Sequence, residues 1–352
     1  MNRQSARSQQ GEIEFRRKLV RQQVRGERIF DDELDAQAIE ELLGSRMRKT
    51  LEQMTALREA GVALSPYLEL GAERCQRALV MENDLGAAGA AVDLSHDMLR
   101  SCDHYREVFG KAKVPMRICA DAYALPFATG SVPFAFCYET LHHFPDPAPI
   151  VAEVHRVLRP GGHFFFQEEP YKKILHLNLY KRKLYARRPA PPSRARKILD
   201  YFFSEPVCNE VAHGIVENED LTADDWRRAL SVFAERAVSL RSGKKTLVSE
   251  LFDPRSRWRS LLNRLLGGEV FGTCRKAGRT TAPAGAVAEL RICPSCQEGG
   301  RESPIVQEGP ACACRRCGGR FPVVDGIAFL FPPAKLRAIY PGIVNLVDGR
   351  TA

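Results

Sequence analysis

The chain has 352 residues, 44% of them hydrophobic and 27% charged. This composition excludes a disordered tail, and the length allows one large domain and one small one. No stretch approaches the roughly 20 apolar residues of a membrane span, and Met1–Gln10 is polar and basic without the apolar run of a secretory signal, so a cytoplasmic protein is expected. The net charge of +9 is local: Tyr171 to Asp200 holds ten Lys or Arg against one acid. That pattern argues against a generally basic nucleic-acid binder.

Residues 1–63 read as a helical extension. Ile13, Phe15, Leu19 and Val24 stand among polar residues, and Ile39, Leu42, Leu43, Met47, Leu51, Met54 and Leu57 recur at helical spacing. Such helices pack on the next domain or lie as a lid over a substrate. From Tyr67 short apolar runs alternate with helical segments. Strands are expected at Tyr67–Leu70, Ala88–Leu94, Pro115–Ala120, Val132–Tyr138 and His163–Gln167, the last opened by a turn at Arg159-Pro160-Gly161-Gly162. Helices are expected at about 73–84, 96–110 and 147–158. This alternation predicts an α/β fold, a parallel Rossmann-like sheet with helices on both faces, binding its ligand beyond the C-terminal strand ends.

The basic, proline-containing segment 171–200 reads as an insertion that leaves the sheet and covers a substrate. A helix at Trp226–Ala234 and closing strands at Ala237–Leu240 and Val270–Cys274 return to it. The expected organisation is a domain over 64–278, a linker over 279–289 rich in Ala, Thr, Gly and Pro, and a small module with its tail over 290–352.

Three strand ends carry a candidate cofactor site. Glu69, Gly71, Ala72 and Glu73 end the first strand and open a helix, where free amides and a glycine admit a ligand to the main chain. Asp93, 24 residues after Glu69, ends the second strand beside Leu94 and is placed to accept from ribose hydroxyls. Asp121 and Ala122 end the third, offering an acceptor to an exocyclic amine and an amide to a ring nitrogen. Tyr138 closes the fourth. Either aspartate alone would read as a cap or turn residue; their joint position carries the argument.

Residues 67–168 resemble the class I S-adenosylmethionine-dependent methyltransferases. The matching pieces, in order, are Leu68-Glu69-Leu70-Gly71, Ala91-Val92-Asp93-Leu94-Ser95, Asp121-Ala122-Tyr123-Ala124-Leu125-Pro126-Phe127, Leu141-His142-His143-Phe144-Pro145-Asp146 and Arg156-Val157-Leu158-Arg159-Pro160-Gly161-Gly162. The resemblance implies S-adenosylmethionine as methyl donor. The chain departs from the family loop Gly-x-Gly-x-Gly: only Gly71 remains, with Glu73 and Cys75 where glycines are common. A side chain there crowds the methionine end of the donor, or Glu73 meets its ammonium group. The missing glycines also argue against a dinucleotide, whose pyrophosphate needs them.

Methyl transfer asks the protein to position the donor and, for some acceptors, to remove a proton. His142, His143 and Glu139 are the candidate bases, the histidines ranked first for their pKa near neutrality. A role in shaping the pocket fits them equally well. No Asn- or Asp-Pro-Pro-Tyr clamp and no Pro-Cys pair follows the fourth strand, which argues against adenine or glutamine N-methylation and cytosine C5-methylation. The expected acceptor is a small metabolite, lipid or glycan intermediate. RNA is the alternative, and a non-catalytic scaffold the third reading.

Of 11 cysteines, six are scattered from Cys75 to Cys274 and read as buried thiols. Cys293-Pro-Ser-Cys296 and Cys314-Arg-Arg-Cys317, 17 residues apart, read as a closed tetrahedral zinc site with a structural role. Cys312 is the odd thiol, because only Cys314 makes the two-residue spacing to Cys317. Residues 290–335 resemble the zinc ribbons that activate tRNA methyltransferases, notably through Arg320-Phe321-Pro322-Val323-Val324-Asp325-Gly326-Ile327-Ala328-Phe329-Leu330. The resemblance implies a ribbon fused to the domain it supports.

Overall fold

The computed structural model describes residues 6–30, 34–172, 193, 215–218, 220–242, 247–253, 268–280 and 284–343. Beyond Tyr171, Lys172 and Ser193, the expected basic insertion lies outside the described residues.

Two helices open the chain, α1 (Ala6–Arg25) and α2 (Ala36–Glu59). Asp35 starts the second by accepting from the Ala38 amide at 2.8 Å. Then follow β1 (Tyr67–Leu70), α3 (Gln76–Asn83), β2 (Gly89–Asp93), α4 (His96–Val108), β3 (Met116–Cys119), β4 (Val132–Tyr138), α5 (Ala148–Val157) and β5 (Leu158–Tyr171). Strands β3-β2-β1-β4-β5 pair in parallel in that order. All four residues of β1 are buried, as a strand covered on both faces requires. Leu68 and Leu70 join one core while Tyr67 joins the other, on the side of α2 and α3.

The remainder extends both edges. Helix α6 (Ala223–Leu230) leads to β6 (Glu235–Ser242), β7 (Leu247–Glu250) and β8 (Gly268–Arg275), and β8 adds antiparallel to β5. Helix α6 begins three residues before the expected Trp226, because Thr222 and Asp225 form a reciprocal capping box. It ends before the expected Ala234, since Glu235 already belongs to β6. The expected turn at 159–162 is an irregularity inside β5: register with β4 shifts between Val132 and Phe134, and Gly161 takes φ +79°.

The C-terminal module holds α7 (Pro294–Glu298), β9 (Val306–Glu308), β10 (Ala311–Ala313), β11 (Arg320–Val324), β12 (Ile327–Phe329) and α8 (Pro333–Ile339). It is not set apart by its linker. Strand β12 pairs in parallel with β3 (Ile327↔Arg117, Ala328↔Ile118, Phe329↔Cys119), continuing a 12-stranded sheet. An uncovered β3 would present a row of unpaired amides and carbonyls, and β12 satisfies them. Across the end of the expected linker, Val287–Leu290 forms a turn of 3-10 helix. The Leu290 carbonyl accepts from Ala128 N at 2.9 Å, and Ile292 N donates to the Pro126 carbonyl at 3.0 Å.

Candidate active site

The loop after β1 folds tightly against the end of β4. Gly71 has φ +62°, and a Cβ there would stand 2.4 Å from Thr140 Oγ1. Glu73 (φ 46°) and Cys75 (φ 58°) also adopt the left-handed region. The loop thus keeps a backbone shape that suits glycine, at about 1–2 kcal/mol for each non-glycine residue. Contacts hold Glu73 in place. Its amide donates to Asp93 Oδ2 at 2.9 Å, and its carboxylate faces Arg46, Arg16 and Arg74 at 3.5, 3.8 and 3.9 Å. Burial pushes this carboxyl up, yet Arg74, Arg46 and Arg16 together outweigh it and bring it down to about 2.

Asp93 accepts from Glu73 N and, at 2.7 Å, from Ser95 N. Burial raises its carboxyl to about 6 against the pull of those amides. Asp121 accepts from Tyr123 N at 3.1 Å, and its other oxygen meets the Lys335 ammonium from α8. A carboxylate has lone pairs to spare for a further donor. Tyr340, just after α8, donates to the Leu94 carbonyl at 2.6 Å and accepts from His96 N at 3.0 Å.

A cavity opens between these strand ends, in the place where α/β sheets bind their ligands. Gly71, Glu73, Asp93, Leu94, Asp121 and Ala122 line it on one side, with Glu139 and His143 on the other. Helix α1 closes it with Gln9, Glu12 and Arg16, so the N-terminal extension is a wall of the site as well as a packed helix.

Four expected site residues fall elsewhere. Ala72 is buried, donating its amide to Val92 O at 3.1 Å. Strand alternation turns Glu69 away from the cavity; burial pushes its carboxyl up to about 8, and Oε2 has no hydrogen-bond partner among the described residues. Tyr138 lies under the Arg77 guanidinium, 4.0 Å from its ring centroid, and donates its hydroxyl to Gln53 at 2.8 Å. His142 is set back from the cavity between two carboxylates. Its Nδ1 is 3.0 Å from Glu169 and its Nε2 3.4 Å from Glu217. Burial alone would lower its pKa, but the hydrogen bonds to Glu169 and Glu217 carry it up to about 10. A histidine so engaged has no free lone pair with which to take a proton.

Glu169 is wholly buried and organises this corner: its carboxylate accepts from the amides of Thr140, Leu141 and His142 at 2.8, 2.9 and 3.1 Å. Glu139 has φ 48° and meets Arg46, which reaches Glu73 as well. The acidic run Gln167-Glu168-Glu169-Pro170-Tyr171 after the expected fifth strand reads in the sequence as lining a substrate mouth; Glu169 instead lies within β5 and is buried behind His142. Arg16, Arg46, Glu217 and Lys335 were not expected from the sequence. They are polar positions on helices and a loop remote in the chain, and no spacing signals them.

The thiols of Cys293, Cys296, Cys314 and Cys317 lie within 4.8 Å of one another. Cys293 and Cys317 are 3.5 Å apart, Cys296 and Cys314 3.9 Å. Cys312 points elsewhere, accepting from Arg291 at 3.4 Å.

Residues 68–166 match the family model described as a methyltransferase domain. An uncharacterised chloroplastic methyltransferase of Arabidopsis thaliana is 34% identical over 113 residues, covering 30% of this chain and 32% of that one. A ubiquinone biosynthesis O-methyltransferase of Cupriavidus pinatubonensis is 36% identical over 108 residues, covering 30% and 42%. The chain thus spans about a third to two fifths of these curated relatives. Among solved structures, an S-adenosylmethionine-dependent methyltransferase from Methanosarcina mazei aligns over 62% of this chain and 97% of that one, at 18% identity and a TM-score of 0.40.

Proposed function

We propose that the chain transfers a methyl group from S-adenosylmethionine to a small metabolite, lipid or glycan intermediate. The observation that carries this reading is the convergence of Gly71, Asp93 and Asp121, from three strand ends, on one cavity. Gly71 lets the loop pack directly on Thr140, where a Cβ would clash, and so brings the loop backbone to the cavity wall. In this reading Asp93 accepts from the ribose hydroxyls, Asp121 and the Ala122 amide hold the adenine, and Glu73 faces the ammonium of the methionine end. The donor supplies a methyl group bonded to a positive sulfur. The chain orients it, and α1 shields it from water. Of the three candidate bases, His143 and Glu139 face the cavity and hold the proton-accepting role. The ubiquinone-pathway O-methyltransferase among the relatives supports a small acceptor over RNA.

We further propose that the four clustered cysteines hold a structural zinc, which would have no open coordination place. Calorimetry with S-adenosylmethionine tests the enzyme reading: binding in the micromolar range is expected, and a folded chain that takes up no donor at millimolar concentration refutes it.

A further inference from the structure

We propose that His142, His143 and Glu217 form a second metal site, for a divalent transition ion, separate from the four cysteines. One ligand atom of each of the three lies within 4.8 Å of the others. Glu217 bridges the histidines, Oε2 at 3.4 Å from His142 Nε2 and Oε1 at 3.1 Å from His143 Nδ1. A tetrahedral ion with bonds of about 2.0–2.1 Å sets its ligands about 3.3–3.4 Å apart; each imidazole nitrogen already stands about that far from an oxygen of Glu217, and small side-chain shifts would bring one ligand atom of each residue together.

The surroundings fit a metal site in two further ways. Glu169 holds His142 Nδ1 at 3.0 Å, aiming Nε2 toward Glu217. A carboxylate behind a ligating histidine fixes its tautomer and strengthens it as a ligand. The three backbone amides on Glu169 in turn fix that carboxylate. Charge gives the second argument. Two carboxylates meet here, and among the described residues the side chains in ion-pair reach of them are His142 and His143. A divalent ion with two neutral imidazoles closes that balance and displaces the proton from His142 Nε2. The Val216 carbonyl, 3.2 Å from His143 Nδ1, gives up that contact when an ion binds.

Two histidines and one carboxylate leave coordination open, as in sites that bind an exogenous ligand. His143 also lines the donor cavity, so an oxygen of a molecule held there is the natural further ligand; with its Nδ1 on the ion His143 keeps its proton on Nε2, and Glu139 is then the proton acceptor. This last step rests on the methyl-donor reading; the metal site does not.

Cobalt titration of the chelator-stripped full-length chain tests the site. Two equivalents are expected: one with intense thiolate-to-cobalt charge transfer, from the cysteines, and one with only the weak d–d bands of nitrogen and oxygen ligands. Glu217→Gln, and separately His143→Gln, should weaken the second equivalent at least tenfold while keeping the thiolate bands, which report that the chain is folded. A wild-type chain that shows no nitrogen–oxygen equivalent overturns the proposal. A second equivalent that keeps its spectrum and affinity in both variants overturns it too. Neither readout involves the methyl donor, so donor binding measured in parallel stands or falls by itself.

Discussion

At the scale of single residues, the structure shows how a loop can lose its glycines and keep its shape. Glu73 and Cys75 take left-handed φ values, and an arginine cluster and the Asp93 carboxylate secure the loop. Asp93→Ala removes the carboxylate proposed to accept from both ribose hydroxyls. With charge-assisted hydrogen bonds contributing about 1.5–3 kcal/mol each, donor affinity should fall by about a hundredfold or more, read by calorimetry on a variant with unchanged circular dichroism. The same carboxyl is raised to about 6. Its ionised form predominates above that pH, so donor affinity should fall as pH drops through about 6, and this component should vanish in Asp93→Ala. Gly71→Ala brings a methyl 2.4 Å from Thr140 Oγ1, whereas a methyl added at Gly61, with φ +85°, meets nothing within 4 Å. Both variants bear the left-handed backbone penalty. Only Gly71→Ala adds overpacking, typically about 1–3 kcal/mol, so it should unfold at lower temperature than Gly61→Ala and bind donor more weakly.

At the scale of elements, alternation along β1 decides which carboxyl serves the ligand. Glu69 is turned toward Arg77 and the helical layer, with a carboxyl raised to about 8. The folded state therefore binds this proton more tightly than the unfolded chain, whose carboxyl titrates near 4.3. Stability from this group is fully present below that value and is lost as pH rises toward 8. Glu69→Gln should flatten the decline of the unfolding temperature between about pH 5 and 8; an unchanged slope would show that Glu69 does not titrate there. Much of this architecture was legible from residue order. The runs at Tyr67–Leu70 and Val132–Tyr138 are strands at their expected bounds. The start of α6 was missed because the Thr222–Asp225 capping box outweighs the apolar pattern beginning at Trp226.

At the scale of the whole molecule, the C-terminal module and the donor cavity are mechanically joined. Strand β12 lies on β3, Leu330 N donates to the Cys119 carbonyl at 2.9 Å, and α8 sends Lys335 to Asp121. Cys293→Ser with Cys314→Ser should therefore do more than release the proposed zinc. Hydrogen exchange should quicken at Ile118 and Cys119 as well as at Ile327–Phe329, and donor affinity should fall. Loss of protection confined to 290–330 would show that the sheet edge holds without the metal.

The sequence by itself determined the local things: the alternation of strands and helices, the acids at strand ends, and the spacing of Cys293, Cys296, Cys314 and Cys317. These are set by periodicity and ligand spacing within short stretches of chain. Only the tertiary structure decided that Glu69 and Tyr138 leave the cavity, that Arg16 and Arg46 reach Glu73, that His142 sits between Glu169 and Glu217, and that β12 completes the sheet beside β3. Each of these joins residues remote in the chain through burial, charge pairing or an unsatisfied strand edge. Such forces act on proximity in space, which residue order does not record.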